Sequence, residues 1–356
     1  MDVFVCGRCG AELTVAVERV ALPVHAHQRY GCDLMPVLME SGTYAVDPEP
    51  SGWPWRPWAE VTADEAAARG LFAPVPVLSF GPAGAVVVAP SDTRGTVVIP
   101  ERRGGFCCGL DGRDGPNLAC EGCGQAVATL LDDHARWRAV WLDPEAVSRI
   151  PDVAPSRPPD TWDTLLRDRP GTPPRDGLGW WEPEWYAAVG FALAHLLAMS
   201  GGVPVGVPDG LVAQTFRRAL RVLLPAGPPR LTLALAGPGL PEEPGAGLLL
   251  VPQHPQTAGT WRPEAPPKAP EPDVVPIPFD VWRHMAFPAG KAPMPVSGRL
   301  PDGVLRDDYP SLPPPTQFRP DERLFFATLA RLPEVRTPWL RAFYDRHHER
   351  PYAVGF

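Results

Sequence analysis

Cys6-Gly7-Arg8-Cys9-Gly10 and Cys120-Glu121-Gly122-Cys123-Gly124 are two matching knuckles, and together they supply one complete tetrahedral set of thiolates. A C-x2-C pair lets two sulfurs converge on one ion from a tight turn. The glycine after the second cysteine can take the positive φ angle that aims backbone N–H groups at sulfur. The pattern therefore predicts a metal site, with zinc ahead of iron. Two other readings are weighed against it. Unmetallated thiols would leave two reactive dithiol pairs, and a redox C-x-x-C belongs at a helix start within a βαβ pattern, where neither knuckle sits.

The flanking residues read as strands. Val3-Phe4-Val5 and Leu13 to Val17 bracket the first knuckle, and Gln125 to Leu131 leaves the second, so each knuckle is expected to be the turn of a hairpin. On these residues the chain resembles the zinc-ribbon and rubredoxin-type knuckle superfamily, over about twenty residues. What the resemblance implies is joint coordination by Cys6, Cys9, Cys120 and Cys123, with all four positions closed and the zinc structural. The chain departs from that family in the long segment from Gly10 through Ala119. Closure entropy grows only logarithmically with loop length, so a folded insertion there adds little cost.

A chain of 356 residues exceeds the size of one hydrophobic core, and 44% hydrophobic content with 12 tryptophans points to folded domains despite 50 prolines and 34 glycines. The expected architecture is α+β. A strand-rich, zinc-organised unit spans 1–152, a proline-rich linker 153–178, and a mixed α/β, helix-rich unit 179–356. Lys268 and Lys291 are the only lysines and Asn117 the sole asparagine, a bias of coding that leaves arginine as the default cation. The net charge of −8 disfavours nucleic acid and anionic membranes as partners. The start has no secretory pattern, and seven cysteines arranged largely as knuckles fit a reducing compartment, so the expected location is the cytoplasm.

Further elements follow from local signals. Ala85–Ala89 and Thr96–Ile99 read as a buried hairpin, Thr62-Ala63-Asp64-Glu65 as a capping box for a helix stopping at Gly70, and Asp143-Pro144-Glu145 as a helix start. Trp185 to Val207 carries no formal charge apart from His195. Its alanines, Ser200-Gly201-Gly202 and Pro204 favour a buried helix ending near Ser200 over a membrane span. Asp209 is expected to cap a helix with Val212, Phe216, Leu220 and Leu223 facing inward. Arg230–Ala236 and Gly247–Val251 read as paired strands, and 255–278 as proline-rich connector. Helices are expected at Phe279–Phe287, at Asp321–Leu332 and from Thr337-Pro338 onward.

Other chemistry is thinner. His25, His27, Cys32, Cys107 and Cys108 could assemble a second metal site, though buried thiols and surface imidazoles are commoner. Trp53-Pro54-Trp55-Arg56-Pro57-Trp58 could grip a proline-rich peptide by stacking and cation–π contact if exposed, or clasp the protein's own core. Arg217, Arg218 and Arg221 share one helix, while Asp132-Asp133-His134 and Asp345 with His348 hold the materials of acid–base work without a nucleophile or phosphate loop. No dinucleotide, Walker, serine-hydrolase or H-E-x-x-H signature occurs. Three function classes remain: a zinc-bearing binding or assembly module for another protein, an enzyme of unassigned reaction with its site at the domain boundary, and a nucleic-acid-associated zinc-ribbon factor.

Overall fold

The computed structural model describes residues 1–31, 34–105, 109–151, 158–176, 180–241, 245–264, 273–288 and 317–349. The fold is α+β. Contacts divide the chain into unit 1, Met1–Asp160 with Pro255–Ala258, and unit 2, Thr161–His254 with Gly259–Phe356.

Unit 1 contains β1 (Asp2–Cys6), β2 (Glu18–Arg19), β3 (Thr43–Val46), β4 (Trp55–Pro57), α1 (Ala63–Ala67), β5 (Val77–Ser79), β6 (Val86–Val88), β7 (Thr96–Val98), β8 (Leu118–Cys120), β9 (Ala126–Leu131), β10 (Ala139–Leu142) and β11 (Val147–Pro151). Seven of the strands form one sheet in the order β2-β3-β6-β10-β9-β8-β7, while β1 pairs with β11 and β4 with β5. Alternate residues face opposite sides of a strand. Accordingly Tyr44, Val86, Val88, Val140 and Leu142 join Phe4, Leu13 and Val127 in one buried cluster, and Ala45, Val87 and Ala139 join Met35, Met39 and Trp137 in another.

The expected hairpin of Ala85–Ala89 with Thr96–Ile99 does not form: β6 pairs with β3 and β10, whereas β7 pairs with β8. Asp92 redirects the chain. Its buried carboxylate accepts hydrogen bonds from Ser41 Oγ (2.6 Å) and the Gly42 amide (2.7 Å). The residues that follow run beside the first knuckle's hairpin, with Arg94 N–H donating to Leu13 O. The helix expected at Asp143 is also absent. Asp143 to Ala146 is the turn from β10 to β11, closed by the Glu145 amide on Asp143 Oδ1 (2.9 Å) and the Ala146 amide on Asp143 O. An Asx-Pro start is as compatible with a turn as with a helix cap. Thr62 does cap α1, with both arms of its capping box formed, and Gly70 follows at a φ of 68°.

Unit 2 contains α2 (Trp162–Asp168), α3 (Pro183–Met199), β12 (Val205–Gly206), α4 (Leu211–Leu223), β13 (Leu231–Leu235), β14 (Leu248–Gln253), β15 (Asp273–Pro278), α5 (Phe279–Ala286), α6 (Glu322–Arg331) and α7 (Pro338–His347). The four strands form a parallel sheet in chain order. The strands read at Arg230–Ala236 and Gly247–Val251 therefore do pair, but side by side in one direction. Two segments read as proline-rich connector hold elements: α2, capped by Thr161 accepting from the Thr164 amide, and β15. In α4 the capping position is Gly210, because Asp209 instead pairs with Arg217 at 2.7 Å.

Helix α3 ends at Met199 with Ser200 as its cap, is buried nearly all round, and packs against α4, α5, α6 and β15. No described helix is long and apolar enough to cross a membrane. The approach of α6 to α3 is set by Gly190: a Cβ there would lie 2.6 Å from the Asp321 carbonyl, whose own amide donates to Tyr186 O at 2.8 Å. Gly190→Ala should therefore destabilise unit 2 by about 1–3 kcal/mol despite alanine's higher helix propensity. Thermal unfolding checks this, and a midpoint at or above that of the parent would show the approach is not constrained.

Candidate metal centre

The two hairpins are built alike. In the first, Cys6 N–H donates to Ala11 O and Gly10 N–H to Cys6 O; in the second, Cys120 N–H donates to Gln125 O and Gly124 N–H to Cys120 O, each at 2.8 Å. Gly10 and Gly124 sit at φ of 76° and 73°, the left-handed conformation a side chain would resist. β1 delivers Cys6 and β8 delivers Cys120, and both sulfurs belong to the cluster around Phe4 and Leu118. The Glu121 amide reaches Gly95 O and the Gly7 amide reaches Ala146 O, tying each turn to a neighbouring loop.

All four sulfurs lie within 4.8 Å of one another, and Cys6 Sγ–Cys123 Sγ and Cys9 Sγ–Cys120 Sγ are both 3.6 Å. The close pairs cross from the first cysteine of one knuckle to the second of the other, which makes the arrangement nearly two-fold. Disulfides, at about 2.05 Å, are excluded. Among the described residues this is the only group of histidine, cysteine, aspartate or glutamate side chains able to hold a metal ion. Cys6 and Cys120 are buried and Cys9 is exposed, so the set sits at the edge of the core.

The thiols cannot ionise together without a cation. Burial pushes Cys6 up, but the backbone N–H groups of Cys9 and Arg8 and the Cys123 and Cys9 thiols outweigh it, bringing its pKa down to about 7. For Cys9 the Ala11 N–H favours the thiolate, yet the neighbouring sulfurs of Cys123 and Cys120 prevail and raise it to about 12. Negative charge on one sulfur disfavours charge on the next, and a cation held by all four would relieve this.

Asn117 secures the second knuckle's strand. It is buried, its Nδ2 donates to Leu130 O (2.9 Å), and its Oδ1 accepts from the Leu130 amide (2.7 Å), so it replaces a backbone pair where β8 and β9 slip in register.

The remaining sequence-predicted groups are dispersed. Residues 24–27 form turns rather than a strand. The His25 ring lies against Trp137 at 4.3 Å, and burial lowers its pKa to about 4. His27 Nε2 instead faces Asp47 at 3.1 Å. Cys32, Cys107 and Cys108 lie outside the described residues. Asp345 accepts two bonds from Arg341 Nε, and His348 Nδ1 lies 3.0 Å from Tyr344 O, both on one helix turn. Asp133 Oδ1 accepts from the His134 amide. Among the described residues none of these pairs converges on a nucleophile. Compared with known protein families, curated proteins and solved structures, the chain matches none.

Two predictions follow from this geometry. Metal-free protein titrated with cobalt(II) should develop the intense visible bands of a tetrahedral thiolate complex, saturating at one ion per chain, and Cys9→Ser should weaken or shift them. Asn117→Ala should cost about 2 kcal/mol by leaving the buried Leu130 amide and carbonyl unpaired, and a chelator should strip metal from it faster than from the parent.

Proposed function

We propose that unit 1 is a binding or assembly module held together by one structural zinc on Cys6, Cys9, Cys120 and Cys123, in the manner of a zinc ribbon. The observation that carries a tetrahedral thiolate-bound ion is the sulfur spacing. Four Zn–S bonds of about 2.3 Å at tetrahedral angles place neighbouring sulfurs about 3.8 Å apart, beside the 3.6 Å of both close pairs. With four protein ligands no position is open for a substrate, so the ion's work is to fold the chain. Thiols held apart as thiols fit a reducing compartment, the cytoplasm.

The module reading rests on the two-stranded ribbon of β4 and β5 and on Trp53 just before it. Trp53 is 79% exposed, Trp55 47% and Val77 50%. Large exposed apolar side chains on and beside one two-stranded ribbon are the kind of surface a partner covers. Arg56 is already engaged, bonding Glu65 at 3.1 Å and lying over the Phe80 ring, so the grip falls to the indoles. A partner presenting an extended, proline-rich segment suits them, because such a segment stacks on aromatic faces at low entropic cost.

The test pairs two measurements on the purified chain. Elemental analysis should return one zinc per chain. A synthetic polyproline peptide should bind with a change in tryptophan emission that Trp53→Ala/Trp55→Ala abolishes while zinc content and thermal stability hold. Peptide binding that survives the double substitution, or no binding by the parent, would overturn the module reading and leave the zinc site standing on its own measurement.

A further inference from the structure

A cavity of about 540 Å³ opens within unit 1, and none of the four knuckle cysteines lines it. Sites for small molecules commonly enclose roughly 300–1,000 Å³, with apolar walls and a few polar groups. Here Trp137, Trp141, Pro82, Pro116 and Leu131 contribute apolar wall, and Arg29, Arg136, His27 and Asp47 contribute charge.

Three of its donor groups are unmatched, while the buried Asp47 Oδ2, also without a hydrogen-bond partner, has His27 Nε2 at 3.1 Å. Arg29 and Arg136 are brought opposite each other by an antiparallel bridge, and neither side chain makes a hydrogen bond or ion pair with any described residue. Arg136 is half-buried; burial and the charge of Arg29 lower its pKa, and Asp111 and Asp133 oppose this only through longer-range attraction. The Trp141 indole N–H is buried without a hydrogen-bond partner among the described residues. Each feature costs free energy in the unliganded chain: half-buried Arg136 carries its charge beside that of Arg29, and the indole donor has lost water without replacement.

The carboxylates of the cavity do not cancel that charge. Buried Asp47 faces His27 and accepts the Glu49 amide on Oδ1 (2.9 Å), Asp143 closes its own turn, and Glu145 is exposed to solvent. A ligand bearing one or two acidic oxygens would pair the guanidinium groups, give the indole N–H an acceptor and fill the apolar remainder. Paired arginines suit such oxygens because their planar N–H groups bind a carboxylate or phosphate in bidentate fashion.

We infer that this cavity binds a small organic anion, a carboxylate or phosphate ester on an apolar ring, with Arg29 and Arg136 at the acidic group and Trp137 and Trp141 along the ring. It is a second site, on chemistry separate from the metal.

Calorimetric and NMR titrations of the zinc-loaded full chain with benzoate and with phenyl phosphate test it, with benzyl alcohol as the uncharged control. At least one anion should bind saturably at one site and move the Trp141 indole N–H resonance, benzyl alcohol should bind more weakly by about tenfold or more, and Arg136→Gln should weaken the anion by a similar factor. The anion that binds more tightly names the headgroup. Where Arg136→Gln fails to retain zinc and fold, Arg29→Gln, at an exposed position, carries the same expectation. Absence of saturable binding by both anions, equal binding of benzyl alcohol, or affinity undiminished in the folded arginine variants would overturn the proposal.

Discussion

Mutual repulsion among four sulfurs at the edge of a buried cluster is the constraint on which unit 1 depends. Cys9 shows its strength: although the Ala11 N–H favours its thiolate, the neighbouring sulfurs of Cys123 and Cys120 raise its pKa to about 12. A divalent cation bound by the four sulfurs would remove that conflict and clamp the β1 hairpin to the β8–β9 hairpin. Between the clamped ends lie β2 to β7, most of the seven-stranded sheet. Its closure joins residues distant in sequence at a cost that grows only slowly with length.

The same sheet gives the unit two working sides. Val86 and Val88 pack toward the knuckles, and Val87 between them packs toward Trp137 and Met39 on the other side. The cavity draws its indole walls from that second side. Within unit 2, Arg217 of α4 pairs with Asp209 at 2.7 Å.

What could be read directly from sequence was chemistry fixed by short spacing. The knuckles, the Thr62 capping box, the end of α3 at Ser200 and the caps of α6 and α7 all depend on residues a few positions apart. Long-range choices were not legible. Whether Val86–Val88 pairs with Thr96–Val98 depends on Asp92 meeting Ser41, and whether β13 and β14 run antiparallel depends on how their connection crosses, neither of which leaves a local trace. The Arg29–Arg136 juxtaposition is of the same kind, two ordinary arginines until the bridge aligns them. Exposure of Trp53 likewise belongs to the fold, because a tryptophan-proline stretch reads equally as clasp or as contact surface.

X-ray absorption at the zinc edge of the purified chain reaches the central claim most directly, because it reports the atoms bound to the ion. The account predicts four sulfur neighbours at about 2.3 Å and no oxygen or nitrogen in that shell. A shell containing light-atom ligands, or only two sulfurs, would mean that the two knuckles do not share one ion and would contradict it.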